Sequence, residues 1–139
     1  MKLLLVLDDD RERLRGFEEI TLRLGGEWRM KSWRTAPSML AEIDTHYAGA
    51  KLISLDHDLY KDAESDADPG SGRVVADFLA KRTPACPVIV HSTNTDAAWG
   101  MHNQLTSAGW NCHLVQHLSQ PKWIEDIWLP VAMRVLPSR

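Results

Sequence analysis

The sequence predicts a three-layer α/β domain on a doubly wound, five-stranded parallel sheet, and three observations carry that expectation. Five short apolar runs of strand length alternate with five segments whose apolar residues recur at helical spacing. The leading runs show no polar face, as suits parallel strands buried on both sides. The alternation fills all 139 residues without a repeat or a low-complexity linker, so a single domain over 1–139 is expected.

The elements follow in order. Leu3-Leu4-Leu5-Val6-Leu7 reads as the first strand. Leu14, Phe17, Ile20 and Leu24 mark a helix that Gly25-Gly26 stops. Trp28 to Trp33 alternates in character, as an edge strand does, and Met39, Leu40, Ile43 and Tyr47 mark a second helix led in by Thr35 and Pro37. Leu52-Ile53-Ser54-Leu55 is the third strand. A polar loop ends at Gly70-Ser71-Gly72, before a helix carrying Val74, Val75, Phe78 and Leu79. Pro87-Val88-Ile89-Val90 is the fourth strand, followed by a helix with Ala98, Met101, Leu105 and Ala108 that Gly109 closes. Cys112 to Val115 is a short fifth strand. Trp123, Ile124, Ile127 and Trp128 belong to a last helix, which Pro130 is expected to bend or end. Right-handed connections and an edge position for the second strand favour the flavodoxin-like order 2-1-3-4-5.

Composition excludes several classes. Apolar residues are 44% and charged residues 25%, ordinary for a globular chain. The longest apolar run, Leu3 to Leu7, is far short of the roughly 20 residues that cross a bilayer. With Asp8-Asp9-Asp10 directly behind it, the run does not read as a signal peptide. A net charge of -3 gives no strong nucleic-acid signal. Cys86 and Cys112 are too few for a disulfide framework, and a cytoplasmic protein with reduced thiols is expected.

In such a fold, ligands bind beyond the carboxyl ends of the strands. There stand Asp8-Asp9-Asp10-Arg11, Asp56-His57-Asp58, His91-Ser92-Thr93-Asn94 and Gln116-His117. The first three groups follow adjacent strands and converge. Five carboxylates on one rim repel unless a cation joins them. Mg²⁺, held by Asp8, Asp9, Asp56 and Asp58, suits that need, and Arg11 or a protonated histidine would offset the rest. Asp10 either joins the rim or caps the first helix. His57 and His91 would face one substrate as base and acid, with Asp56 beside them. Arg11, Ser92 and Asn94 would bind phosphate oxygens, and Ser92, Thr93 and Asn94 also suit a helix N-cap.

Other signals weigh less. An EF-hand counted from Asp62 fails, with Ala67 and Arg73 at its sixth and twelfth places. The loop from Asp58 to Gly72 reads instead as a solvated, mobile lid, and Gly70-Ser71-Gly72 as a helix start. His113 and His117 are too far apart on a strand to share a metal. Trp123 and Trp128 belong to the core or to a partner surface. Trp99 either serves the core or an interface, or walls a nucleobase near His91.

Val6-Leu7-Asp8-Asp9-Asp10, Leu55-Asp56 and Pro87-Val88-Ile89-Val90-His91-Ser92 resemble the response-regulator receiver domain over nearly the whole chain. The resemblance implies that Asp8 and Asp9 hold Mg²⁺, that Asp56 accepts a phosphoryl group and that Ser92 contacts it. Leu114-Val115-Gln116-His117 departs from it by lacking the receiver lysine after the fifth strand. Leu7-Asp8-Asp9-Asp10-Arg11, Leu55-Asp56-His57-Asp58-Leu59 and His91-Ser92-Thr93-Asn94 resemble a narrower group, the cyclic-phosphate-processing receiver-like domains. That resemblance implies a phosphoesterase acting on cyclic phosphates of nucleotide type. The alternatives are a signalling module phosphorylated on Asp56, with a protein partner or a homodimer, and a non-catalytic domain that binds phosphate or nucleotide.

Overall fold

The computed structural model describes residues 1–61, 67–116 and 122–137. Five parallel strands, β1 (Lys2–Leu7), β2 (Trp28–Trp33), β3 (Ala50–Leu55), β4 (Val88–His91) and β5 (Cys112–Val115), form one sheet in the order β2-β1-β3-β4-β5. The helices are α1 (Arg11–Leu24), α2 (Ala36–His46), α3 (Gly72–Ala80), α4 (Thr95–Ser107) and α5 (Leu129–Val135). The expected architecture and strand order are what the molecule adopts, with β2 on an edge.

Strand alternation divides the core into two layers. Leu5, Leu7, Ile53, Leu55, Val88 and Val90 pack against α2, α3 and α4. Leu4, Val6, Leu52, Ile89 and Val115 pack on the other face against Phe17 and Ile20 of α1 and against Trp123, Trp128 and Ala132. Trp128 and Phe17 are fully buried in this second layer, with ring centroids 5.1 Å apart in an edge-on arrangement. Trp123 and Trp128 therefore build the core, and the partner surface considered for them is not there. Trp99 is exposed on α4 and its ring contact is His102 of the same helix, so it offers no wall beside His91.

The helix ends follow local chemistry. Asp10 caps α1 by accepting the Arg13 N–H at 3.0 Å, and Gly25 ends that helix with a φ of 139°. Asn94 caps α4 by accepting the Ala97 N–H at 3.2 Å. Pro130 neither bends nor ends the last helix. A π-helical turn, Ile124–Trp128, comes first, and Pro130 sits in the opening turn of α5, where a missing N–H costs little.

Gly72 is required by a close approach. A Cβ there would lie 1.9 Å from the Asp56 carbonyl oxygen, and the Gly72 N–H donates to the His57 carbonyl at 2.9 Å. The chain leaving β3 is thereby clamped against the start of α3, with Asp58 and Ser71 forming an antiparallel bridge. The lid expected between Asp58 and Gly72 falls partly at 62–66, outside the described residues, as does His117.

Candidate functional site

The same alternation sorts the residues beyond the carboxyl ends of β1, β3 and β4. Asp8 continues the Leu4, Val6 series, Asp56 the Leu52, Ser54 series, and His91 follows Ile89. All three thus face the α1 and α5 layer. The ladder runs on past the strands, with the Asp56 N–H donating to the Leu7 carbonyl at 2.9 Å and the Asp8 N–H to the Trp33 carbonyl at 3.1 Å. Asp8 and His91 are 0% exposed and Asp56 is 4% exposed.

Asp8 and His91 are joined by one hydrogen-bonded chain. Trp128 Nε1 donates to Ser54 Oγ at 2.9 Å, and Ser54 Oγ lies 2.6 Å from His91 Nδ1. His91 Nε2 lies 2.9 Å from Asp8 Oδ2 and donates to it, because a carboxylate only accepts. Phe17 and Trp123 close over the imidazole, with ring centroids at 5.0 and 5.8 Å. Both nitrogens of His91 are therefore engaged and the ring is sealed from solvent.

Arg13 completes the cluster from the first turns of α1. Its Nε donates to Asp8 Oδ2 at 2.9 Å and its terminal NH2 to Asp8 Oδ1 at 2.9 Å, a bidentate pair. The same NH2 nitrogen reaches Asp56 Oδ2 at 3.3 Å and Asp9 Oδ1 at 3.4 Å. From the sequence, Arg11 is the arginine expected in this role. Arg11 is exposed on the first turn of α1, and among the described residues Arg13 is the cation seen against the side chains of Asp8, Asp9 and Asp56. Its signal was present, since Arg13 lies four residues before Phe17 on the core-facing stripe of α1.

A second group sits nearer the solvent. His57 Nδ1 donates to Asp58 Oδ1 at 2.6 Å, again because the carboxylate only accepts. Asn94 Nδ2 donates to the same Asp58 oxygen at 3.3 Å. The Asn94 amide is thus used at both ends, capping α4 and holding Asp58. The His57 side chain is 22% exposed. The His57 backbone N–H donates to Asp56 Oδ1 at 2.8 Å and links the two groups. Ser92 is buried beside them, its Oγ accepting the Asn94 N–H at 3.0 Å. The two histidines expected to face one substrate are separated by this arrangement: His57 is open and His91 is enclosed.

The charges are shifted in opposite directions. Burial alone would raise Asp8, but the His91 ring and then the Arg13 guanidinium outweigh it and hold the carboxyl well below the usual range. Burial raises Asp56 to about 6, with Asp8 adding to the rise and His91 and Arg13 offsetting part of it. For Arg13, burial works against the charge, but the bond to Asp8 and the nearby carboxylates keep it above its ordinary value. Cys86 and Cys112 are raised by burial to about 12, which leaves both thiols unreactive.

Asp8, Asp56 and His91 offer ligand atoms within 4.8 Å of one another, the buried metal-type group among the described residues. Asp58, expected in the metal set, is directed instead to His57 and Asn94. The cluster does not suit a resident ion in this arrangement. Mg²⁺ binds oxygen at about 2.0–2.1 Å. An ion bridging Asp8 and Asp56 would meet the guanidinium nitrogen that already contacts both of them and Asp9.

The architecture and the acids at the strand ends define a receiver-like domain, and solved structures bear out the fold. A CheY-like response regulator receiver domain from Methanospirillum hungatei is similar with a TM-score of 0.68 and 18% identity, over 97% of this chain and 94% of that one. The response regulator TrrA from Thermotoga maritima, in complex with Mg²⁺ and BeF, gives 0.64 and 16%, over 96% and 98%. The Mn²⁺-bound form of the response regulator Rcp1 gives 0.63 and 22%, over 99% and 100%. No curated protein matches the sequence. Residues 3–107 match the family model of the cyclic-phosphate processing receiver domain, and the chain belongs to that family. No helix among the described residues is long and apolar enough to cross a membrane.

Proposed function

We propose that the domain is a small phosphoesterase that opens cyclic phosphate esters of nucleotide type, with His57 as the group that activates water. One observation carries the reading. The Asp58 carboxylate, itself held by Asn94, fixes the His57 Nδ1–H, so Nε2 is left as the basic nitrogen on a half-open ring. A base oriented by a second group, which a third holds in place, is the arrangement proton abstraction needs.

In the proposed reaction, water attacks phosphorus while His57 Nε2 takes its proton, and one P–O bond of the ring breaks. The departing oxygen takes a proton from the Asp56 carboxyl, whose pKa near 6 leaves it partly protonated at mildly acidic pH. Arg13 meets the phosphate oxygens with N–H groups beyond those bound to Asp8, and Arg11, Ser92 and Asn94 line the approach. Asp8 and His91 are positioning residues that hold Arg13. Asp9 steadies the rim by accepting the Tyr60 N–H at 2.9 Å. No step is assigned to Mg²⁺.

The test is a turnover screen over 2′,3′-cyclic nucleotides and related cyclic phosphates, scored by ring-opened product with and without chelator. Turnover that falls about 10²–10⁴-fold in His57→Ala supports the reading. Full activity in that variant, or no turnover on any substrate, overturns it. The receiver resemblance at Asp56 favours a second reading, in which acetyl phosphate labels the chain and Asp56→Asn abolishes the labelling.

A further inference from the structure

We propose that Arg13 is a tethered cation standing where a divalent metal would bridge Asp8, Asp9 and Asp56, and that removing its guanidinium uncovers a metal site. The proposal concerns the charge balance of the cluster and stands whether or not the site opens a cyclic phosphate.

Three observations converge. The Arg13 NH2 nitrogen lies 2.9, 3.4 and 3.3 Å from carboxylate oxygens of Asp8, Asp9 and Asp56, so one positive atom serves three acids. The guanidinium is held in place by more than that contact: Nε is bonded to Asp8 Oδ2, and the Arg13 backbone N–H is bonded to the capping Asp10. Beneath it, Asp8, Asp56 and His91 are at least nine-tenths buried and present ligand atoms within 4.8 Å. Two carboxylates and an imidazole form a set that Mn²⁺ or Zn²⁺ accepts more readily than Mg²⁺, which prefers oxygen alone.

The physical reason is competition between cations. A divalent ion and a guanidinium a few ångströms apart repel strongly in a dry site, so the covalently attached cation excludes the diffusible one. The attached cation also needs no free ion in solution to keep the acids from repelling each other. Arginine suits the task because its planar fork engages Asp8 through two atoms and still turns an N–H towards the neighbouring acids. His91 is held between Ser54 and Asp8, so a metal entering after loss of Arg13 would take Nε2 by displacing the proton now given to Asp8, with Nδ1–H then donating to Ser54 Oγ.

The experiment is a Mn²⁺ titration of the full chain, read by the loss of the free-ion paramagnetic resonance signal and by calorimetry. Wild type is compared with Arg13→Gln and with Arg13→Gln/Asp56→Asn. The expected result is Mn²⁺ binding at least about tenfold tighter in Arg13→Gln than in wild type. That gain should vanish in the double variant. Wild-type binding as tight as that of Arg13→Gln, or a gain that survives Asp56→Asn, overturns the proposal. If Arg13→Gln does not fold, thermal unfolding of wild type decides. A Tm that rises with Mn²⁺ and ceases to rise in Asp56→Asn overturns the proposal, and an unchanged Tm supports it. None of these readouts depends on turnover, so a failed activity screen and a failed metal titration are separate results.

Discussion

Two hydrogen-bonded groups leave the carboxyl ends of the same strands, and each contains a histidine next to an aspartate. In the inner group His91 is sealed between Ser54, Asp8, Phe17 and Trp123, with no exposed surface. In the outer group His57 is held by Asp58 at one nitrogen and its ring keeps contact with water. The same residue pair is thus used once to hold a cation and once, in the function proposed, to present a base. Burial separates the two uses: a sealed polar group contributes through bonds it cannot exchange with solvent, whereas a half-open one can exchange protons.

Variants in the two groups should therefore trade stability against activity in opposite proportion. The largest effect is expected at Asp8. Asp8→Ala leaves the Arg13 guanidinium and the His91 Nε2–H without their carboxylate, and breaking such a pair costs about 3–5 kcal/mol. Urea unfolding at neutral pH measures it, and a loss below about 1 kcal/mol would show that the inner group is not structural.

Asp56→Asn should move stability the other way. The Asp56 pKa is raised from 3.8 to about 6, so the folded state binds the extra proton between those values. Wild type therefore loses stability as pH rises from about 4 to about 6, and the cost remains at pH 7. The variant lacks that cost and should gain up to about 3 kcal/mol on wild type at pH 7, an advantage gone below about pH 4. Unfolding curves across this range check both sign and window. Asp8 has the opposite sign: its contribution is present above its ordinary pKa and is lost as pH falls below it.

Ser54→Ala comes next. It strips a partner from the Trp128 Nε1–H and from His91 Nδ1, both buried, for about 1–3 kcal/mol. The smallest effect on stability is expected at His57, where truncation to alanine should cost under about 1 kcal/mol because the ring is partly solvated. Should His57→Ala unfold the domain instead, the division between a structural and a working histidine is lost.

Much of this arrangement was legible in the chain. The apolar runs and helical stripes give the elements, because periods of two and 3.6 residues are local properties, and the edge pattern of β2 with right-handed connections points to the strand order. For Asp10 and Asn94 a helix cap is one of two readings, and both do cap their helices. Alternation even indicates which acids share a face, since Asp8 and Asp56 stay in phase with Val6 and Ser54. What local pattern could not give was the reach of long side chains. Arg11 and Arg13 both follow the acid row; the stripe through Phe17 places Arg13 on the inner side of α1, and only the docking of that helix shows which acids it reaches. Trp123 and Trp128 carry apolar area that suits a core or a surface equally well, and the packing of their rings against Phe17 decides between them. Pro130 reads as a break, yet the π-helical turn before it moves the helix start to meet it.

By itself, then, the sequence determined a layered sheet with a row of acids and two histidines at its carboxyl edge. It did so because backbone periodicity and strand-end position depend on neighbours in the chain. The tertiary structure decided which cation neutralises the acids and which histidine meets water. Those outcomes depend on distances between α1, β1, β3, β4 and α5, elements brought together only when the two core layers close on the sheet.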